Sequence, residues 1–352
     1  MVVNPEIAQT TLLESPARWS VPSLGFEVSV LDLGFNSAKL ATYHVDDKLR
    51  FVLASQEDAK VKLGEELDAT GFLGDPQMDR TLNVLKLFRR VLEFEMPRYV
   101  LPIATSAVRE AANRNEFLRR AEEVLGFGFR VVSEEEEGLL SYLGAALNLR
   151  RPAGTYFDLG GGTLALVHAE GFKVKKVMCL PLGARRLTYL YAEGSKGWMF
   201  DKKGYGRMQQ HVRNLVSGIG LPRGRGARLV GIGGTVRALA RYRRSKVKSK
   251  SAGEDSVTAR EVARIAGEFY RMKRRELLSL KSVGRERAET MQAGSCVVNQ
   301  LIKAVGASEL IASPYGLREG ALTLFLHDRH WFKSKKLEVP TVDRLVAAGG
   351  GR

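Results

Sequence analysis

The sequence predicts an α/β protein of two homologous lobes, with a ligand held in the cleft between them. Three observations carry this expectation. A strand–turn–strand unit occurs twice, helical and extended patterns alternate through both halves, and glycine turns close several apolar strands.

The first copy of the unit is EVSVLDLGFNSAKLATYHV at 27–45 and the second is GTYFDLGGGTLALVHAEG at 154–171. Each has an apolar strand ending in Asp-Leu-Gly, a tight turn and a second strand with Leu at the same offset. Asp32 matches Asp158, Gly34 matches Gly160, Ser37 matches Thr163 and Leu40 matches Leu166, all 126 residues apart. A single Asp-Leu-Gly is ordinary turn chemistry, but matched flanks make the pair informative. Glycines at a strand end let successive backbone N–H groups point into one concavity, a nest for a phosphate oxygen. The expected phosphate contacts are Gly34, Asn36 and Ser37 in the first copy and Gly160, Gly161, Gly162 and Thr163 in the second. Asp32 and Asp158 are placed to hold a divalent ion, Mg²⁺ or another hard cation, usually through water. A third turn, VGIGGTVRALA at 230–240, follows an apolar strand and opens a helix. Helix N-termini attract anions, so Gly233, Gly234 and Thr235 join the phosphate set.

Between these turns, helical patterns fall at 78–95, 110–125, 134–148, 184–193, 203–217, 258–270, 285–306 and 318–328. Extended patterns fall at 49–55, 98–103, 129–132, 174–180 and 308–312. The expected division is an N-terminal extension (1–23), a first lobe (24–132) to which a C-terminal helix (316–330) returns, a second lobe (133–315) and a tail (331–352).

Composition narrows the function classes. Of 352 residues, 44% are hydrophobic and 27% charged, which suits a globular chain rather than a disordered one. No apolar run is long enough to span a bilayer, and residues 1–20 lack a signal-peptide pattern, so a cytoplasmic protein is expected. Cys179 and Cys296 stand far apart without nearby ligand partners, and the five histidines show no metal spacing. The net charge of +16 is concentrated: residues 196–250 hold fifteen Lys and Arg against one acid, Asp201. Such a segment predicts a polyanion-facing surface. Arg241, Arg243, Arg244, Lys246, Lys248 and Lys250 form its expected track, with a solvated basic loop as the competing reading.

The ordered blocks VLDLGFNSAKL, ATSAVREAANRNEFL (104–118), VVSEEEEGLLSYLGA (131–145), FDLGGGTLAL, LPLGARRL (180–187), GIGGTVRALA, RAETMQAGSCVV (287–298) and PYGLREGAL (314–322) resemble the exopolyphosphatase / guanosine-pentaphosphate phosphohydrolase (Ppx/GppA) family. The resemblance runs from about residue 26 to 327 and fits the short, two-domain form. It implies two actin-like (ribonuclease H-like) α/β lobes with an interlobe active-site cleft. It aligns Glu137 with the family's catalytic base and Arg109 with its phosphate-contacting arginine. Ser133 and Glu136 read as a capping box, and Glu134 and Glu135 suit a first helical turn, so three of the four glutamates have structural explanations. Ser141 and Gly144 are expected to leave room beside Glu137. Arg287 and Arg318 are assigned structural or rim roles.

Two departures bear on catalysis. Ala165 stands where the family carries a glutamate that holds water or metal, and Phe35 stands where a small serine is usual. The expected reaction is hydrolysis of a terminal phosphoanhydride of inorganic polyphosphate. Guanosine pentaphosphate is the second substrate, and a non-catalytic polyphosphate or nucleotide sensor is the alternative of a different class. A nucleic-acid partner is disfavoured because the basic segment has few interleaved aromatics. Self-association as a homodimer is left open.

Overall fold

The computed structural model of the chain describes residues 25–171, 173–192, 197–221, 228–246 and 255–328. These residues form two compact units. The first runs up to Ala153 and adds Ala169–Lys175 and the chain from Tyr315 on; the second comprises Gly154–His168 and Lys176–Pro314.

The first unit carries a five-stranded sheet in the order β3-β2-β1-β4-β5. Its strands are β1 (Phe26–Leu33), β2 (Ser37–Val45), β3 (Phe51–Lys60), β4 (Tyr99–Ala104) and β5 (Arg130–Val131). β1 is antiparallel to β2 and parallel to β4. Lying centrally, β1 is apolar on both faces, as a strand covered on both sides must be: Val28, Val30, Leu31 and Leu33 are all fully buried. The helix Asp75–Glu95 repeats Met78, Leu82, Leu85, Phe88 and Leu92 on its buried face.

The second unit carries a six-stranded sheet in the order β10-β11-β9-β6-β7-β8. These are β6 (Gly154–Leu159), β7 (Leu164–Glu170), β8 (Lys173–Leu180), β9 (Arg228–Ile232), β10 (Ser256–Thr258) and β11 (Glu309–Ala312). β6 runs parallel to β9, and β9 to β11. Read from the β8 side, β8-β7-β6-β9-β11 repeats the order of the first sheet, with β10 added at the far edge. Each unit therefore has the actin-like, ribonuclease H-like α/β plan. The core of the second unit surrounds the helix Met291–Val305, whose Met291, Val297, Val298 and Leu301 are fully buried.

Several expectations change in detail. The pattern at 110–125 resolves into two helices, Ser106–Glu110 and Arg114–Leu125, with Ala111 extended between them. Asn113 causes the break by exchanging two hydrogen bonds with the backbone of Leu73. The boundary expected at 132/133 also moves. The helix Glu134–Asn148 lies in the first unit, packed on Leu317–His327 where Gly144 meets the backbone of Gly316 and Gly320. Only glycine permits that approach, so Gly144 serves helix packing and leaves no room beside Glu137. Tyr43 seals the same junction by donating to Glu319 Oε1 at 2.6 Å. No helix among the described residues is long and apolar enough to cross a membrane.

Candidate active site

In the first unit the expected site residues gather at the carboxyl ends of the parallel strands, where open α/β sheets bind ligands. β1 ends in Asp32 and Leu33 and turns at Gly34, whose N–H donates to Ser37 O at 2.9 Å. The Leu33 carbonyl accepts from Thr105 N–H at 3.0 Å, bringing the Arg109 helix alongside this turn. The Phe35 carbonyl accepts from Gly64 N–H, and the Asn36 carbonyl from Val61 and Lys62 N–H. In a trans peptide the N–H points opposite to the carbonyl. The amides of Asn36 and Ser37 therefore face away from the 61–64 segment. The Phe35 ring is 2% exposed and lies where a side chain at residue 64 would stand; Gly64 accommodates it.

Arg109 and Glu137 are joined. Arg109 Nη1 donates to Glu137 Oε2 at 2.8 Å and to Val132 O at 3.1 Å, and both side chains are nearly buried. Arg109 Nε and Nη2 are buried with no hydrogen-bond partner among the described residues. Those two nitrogens form the guanidinium edge that fits two oxygens of one phosphate. Glu136 is used differently: it completes a capping box with Ser133 and pairs with Arg130 Nη2 at 2.8 Å. Ser141 is buried.

Asp32 has cationic neighbours. Across the sheet it registers with Lys39, which registers with Asp58, so the three share one face. Burial opposes the charge of Arg318, but Tyr43, Glu319, Asp32 and Asp58 outweigh it and keep the guanidinium protonated. Arg318 Nη1 also donates to Gln56 Oε1 at 3.2 Å. Arg318 thus belongs to the charge row that includes Asp32.

In the second unit the turn after β6 is built on the helix Ala184–Tyr191. Gly160 N–H donates to Thr163 O at 3.0 Å. The carbonyls of Gly160, Gly161 and Gly162 accept from the amides of Ala184, of Arg185 and Arg186, and of Gly183, respectively. Three consecutive carbonyls thus face the helix start, so the amides of Gly161, Gly162 and Thr163 face the opposite way. A Cβ at Gly183 would collide with the backbone of Gly161 and Gly162. Gly183 is the residue most responsible for the turn's geometry. Its only sequence signal is the LPLGARRL block.

The third turn adjoins the second. Gly233 has φ +99°, and a Cβ there would stand 2.7 Å from Leu159 O and 3.1 Å from Asp158 Oδ1. The Asp158 carboxylate and the turns at 160–163 and 233–235 therefore share one strand end. The Arg287 guanidinium covers Gly234, overlapping any side chain placed there. Arg287 accordingly sits at the third turn, a position that sequence reasoning did not assign. Thr235 is 4% exposed and its hydroxyl faces Gly294, so its amide rather than its hydroxyl is available to the turn. Ala165, on β7, is 2% exposed.

Among the described residues no three His, Cys, Asp or Glu side chains group closely enough to cage a metal. The donor set fits Mg²⁺ in its common mode, held by one or two carboxylates together with water and substrate oxygens. Asp32 in the first unit and Asp158 in the second are each a strand-end carboxylate of that kind within their own unit. Cys296 is buried with its thiol pushed up to about 11 by desolvation, and Cys179 is partly buried.

The described part of the expected basic track makes contacts within the protein while staying at the surface. Arg241 Nε donates to Ser282 O at 2.9 Å, Arg243 pairs with Glu261 at 3.2 Å and Arg244 pairs with Asp255. Lys246 sits 5.3 Å from the Tyr242 ring centroid. Lys248 and Lys250 lie outside the described residues. These pairs engage Arg243 and Arg244, while Arg244 and Lys246 remain exposed on the helix surface.

Known proteins match this arrangement. The model of the Ppx/GppA phosphatase family matches residues 42–328. Among solved structures, the Aquifex aeolicus member of that family is 26% identical with a TM-score of 0.69, covering 85% of this chain and 97% of its own. An exopolyphosphatase from Cytophaga hutchinsonii has the same fold, with a TM-score of 0.74 at 22% identity and coverage of 85% and 97%. With the family model spanning both units and every glycine turn but the first, this chain belongs to the Ppx/GppA phosphatase family.

Proposed function

We propose that this protein is an exopolyphosphatase, releasing orthophosphate from the ends of inorganic polyphosphate in the cytoplasm. The observation that carries the reading is the Arg109–Glu137 pair. One guanidinium nitrogen is spent on the carboxylate while the Nε–Nη2 edge is buried without a partner. A buried donor pair of that shape is costly unless an anion with two oxygens meets it.

The chemistry follows from these groups. Arg109 takes two oxygens of the terminal phosphate and pairs with Glu137. Amides of the turns at 34–37, 160–163 and 233–235 bind phosphate oxygens and stabilise charge as the phosphoryl group transfers. Glu137 orients a water and accepts its proton as the oxygen attacks the terminal phosphorus. The bridging P–O bond breaks and its electron pair leaves on the shortened chain, a good leaving group that needs no general acid. Mg²⁺, when held by Asp32 or by Asp158, would supply charge neutralisation on the phosphate oxygens.

Phosphate release from polyphosphate and from guanosine pentaphosphate, measured side by side with and without Mg²⁺, tests the reading. Polyphosphate is expected to be the faster substrate, and only with metal. Preference for guanosine pentaphosphate would move the activity to the nucleotide. A second reading, a polyphosphate-binding sensor, is favoured by buried Ala165 in place of the family's glutamate. Binding without release above a heat-killed control would select it.

A further inference from the structure

We propose that the second unit holds a phosphate group at Arg185, in a site separate from the guanidinium edge that Arg109 presents in the first unit. The proposal stands on the second unit alone and does not require the exopolyphosphatase reading.

Arg185 is among the largest side chains that the fold buries completely, at 2% exposure. Its backbone is fixed in the first turn of the helix Ala184–Tyr191, where its N–H donates to Gly161 O at 2.9 Å. Its Nη1 donates to Glu289 Oε2 at 2.8 Å, just ahead of the helix Met291–Val305. Tyr189 lies against the same group, with its ring centroid 5.5 Å from the guanidinium carbon. Arg185 Nε and Nη2 are buried with no hydrogen-bond partner among the described residues. An arginine kept only for its ion pair would turn that edge toward the carboxylate, because Nε and Nη2 together match two oxygens of one anion. Glu289 instead takes Nη1 alone and the matching edge stays idle. Buried donors without an acceptor carry their full desolvation penalty. Arg109 shows the same arrangement in the first unit, giving Nη1 to Glu137 Oε2 and keeping Nε and Nη2 unpartnered.

Glu289 is the movable partner. Its side chain is 23% exposed against 2% for Arg185, and Tyr189 is also half-buried, so the guanidinium lies one side chain below the surface. When Glu289 turns out to water, the space of its carboxylate opens beside Arg185 and an anion entering there meets the idle edge. Two helices begin at this place. A Cβ at Gly294, in the first turns of Met291–Val305, would stand 3.3 Å from the Cβ of Ala184, so the two starts lie side by side. Their dipoles add positive potential where the anion sits. A phosphate group has oxygens enough for the Nε–Nη2 edge and for Nη1 together, whereas a chloride offers a single acceptor atom.

The test counts radiolabelled orthophosphate bound by the full chain in equilibrium dialysis, in chelator and chloride buffer. Arg185→Met fills similar space without the donors and should bind one phosphate fewer per chain than the wild type. Glu289→Gln removes the competing carboxylate and should bind that phosphate about 10-fold more tightly. Its Tm should fall without phosphate, since the buried guanidinium has lost its counter-charge, and should recover as phosphate is added. Equal phosphate counts in the wild type and Arg185→Met would overturn the proposal and leave a buried water on the edge. So would a Glu289→Gln melt indifferent to phosphate, the result expected of a purely structural pair. Should Arg185→Met not fold, Arg185→Lys keeps the charge without the two-donor edge and must bind this phosphate at least about 10-fold more weakly than the wild type. Saturating tripolyphosphate separates the sources of the group: the label stays if the site takes the free ion and leaves if it takes a phosphate of a chain. A wild type that binds this phosphate but releases none from polyphosphate would sink the exopolyphosphatase reading and leave the site standing.

Discussion

The two copies of the strand–turn–strand unit hold their turns by different means. After β1, the carbonyls of Phe35 and Asn36 are met by amides of the 61–64 segment, and the Phe35 ring fills the space that Gly64 leaves. After β6, the carbonyls of Gly160, Gly161 and Gly162 are met by the first amides of a helix, and Gly183 leaves space for backbone instead. The outcome is two amides turned outward in the first copy and three in the second. The first unit adds a paired carboxylate and guanidinium beside its strand ends, Glu137 and Arg109. The second has Asp158 and, at the strand position where its family carries a glutamate, buried Ala165. The outward-facing amides recur in both copies, while the Glu137–Arg109 pair stands in one.

The largest expected effect tests that asymmetry. Glu137→Gln keeps the shape but cannot accept a proton, so turnover should fall about 10²–10⁴-fold with polyphosphate binding kept. Glu136→Gln keeps a cap acceptor but removes the charge paired with buried Arg130, so it should cost roughly 3 kcal/mol of stability and leave turnover. Activity lost at Glu136 and retained at Glu137 would place the base elsewhere.

Next comes the contrast between the supporting glycines. Gly183→Ala drives a methyl into backbone that cannot step aside, so it should cost roughly 3 kcal/mol or more. The displaced turn should also lower kcat/KM on the order of 100-fold. Gly64→Ala meets only the Phe35 ring, so its cost should be about 1–3 kcal/mol and should largely vanish in a Phe35→Ala background. Equal, unrescued losses at both sites, read by thermal melts, would show that the turns are held alike.

A smaller effect on turnover is expected at Ala165. Because the residue is 2% exposed, Ala165→Glu brings a carboxylate into a buried site. It should destabilise by about 3–5 kcal/mol in chelator, with a partial return of Tm and any gain in rate appearing only with Mg²⁺. A variant as stable in chelator as the wild type would show that a cation of the protein already faces this position.

The smallest effect compares two surface carboxylates, one in each unit. Burial pushes Asp46 up, but hydrogen bonds from the Arg50 side chain, Arg50 N–H and Lys48 N–H outweigh it and hold it below the ordinary range. Glu261 is likewise held low, against burial, by Thr258 and Arg243. Such groups stabilise the fold above the unfolded carboxylate value, about 4, and the contribution is lost as pH falls through their folded values. Asp46→Asn and Glu261→Gln should each lower Tm slightly above pH 6 and flatten the acid destabilisation below it. An unchanged acid limb would remove these two from the proton balance.

The sequence by itself was enough for the duplicated plan, because alternation, Asp-Leu-Gly turns and capping residues act within a few positions of the chain. Ser133 with Glu136 and the strand ends at Leu33 and Leu159 are local in this sense, and they stand where the pattern puts them. Only the tertiary structure decided what depends on contacts between distant segments. Gly183 is an ordinary loop glycine until Gly161 and Gly162 are laid on it, and Gly144 reads as open space until Gly316 and Gly320 fill it. Arg243 and Arg244 count as free charge along the chain but meet Glu261 and Asp255 in space. Tyr205 and Tyr270 are far apart along the chain and stack at 4.0 Å. Net charge is a property of composition, whereas exposed, unpaired charge is a property of packing, and a polyanion responds to the second.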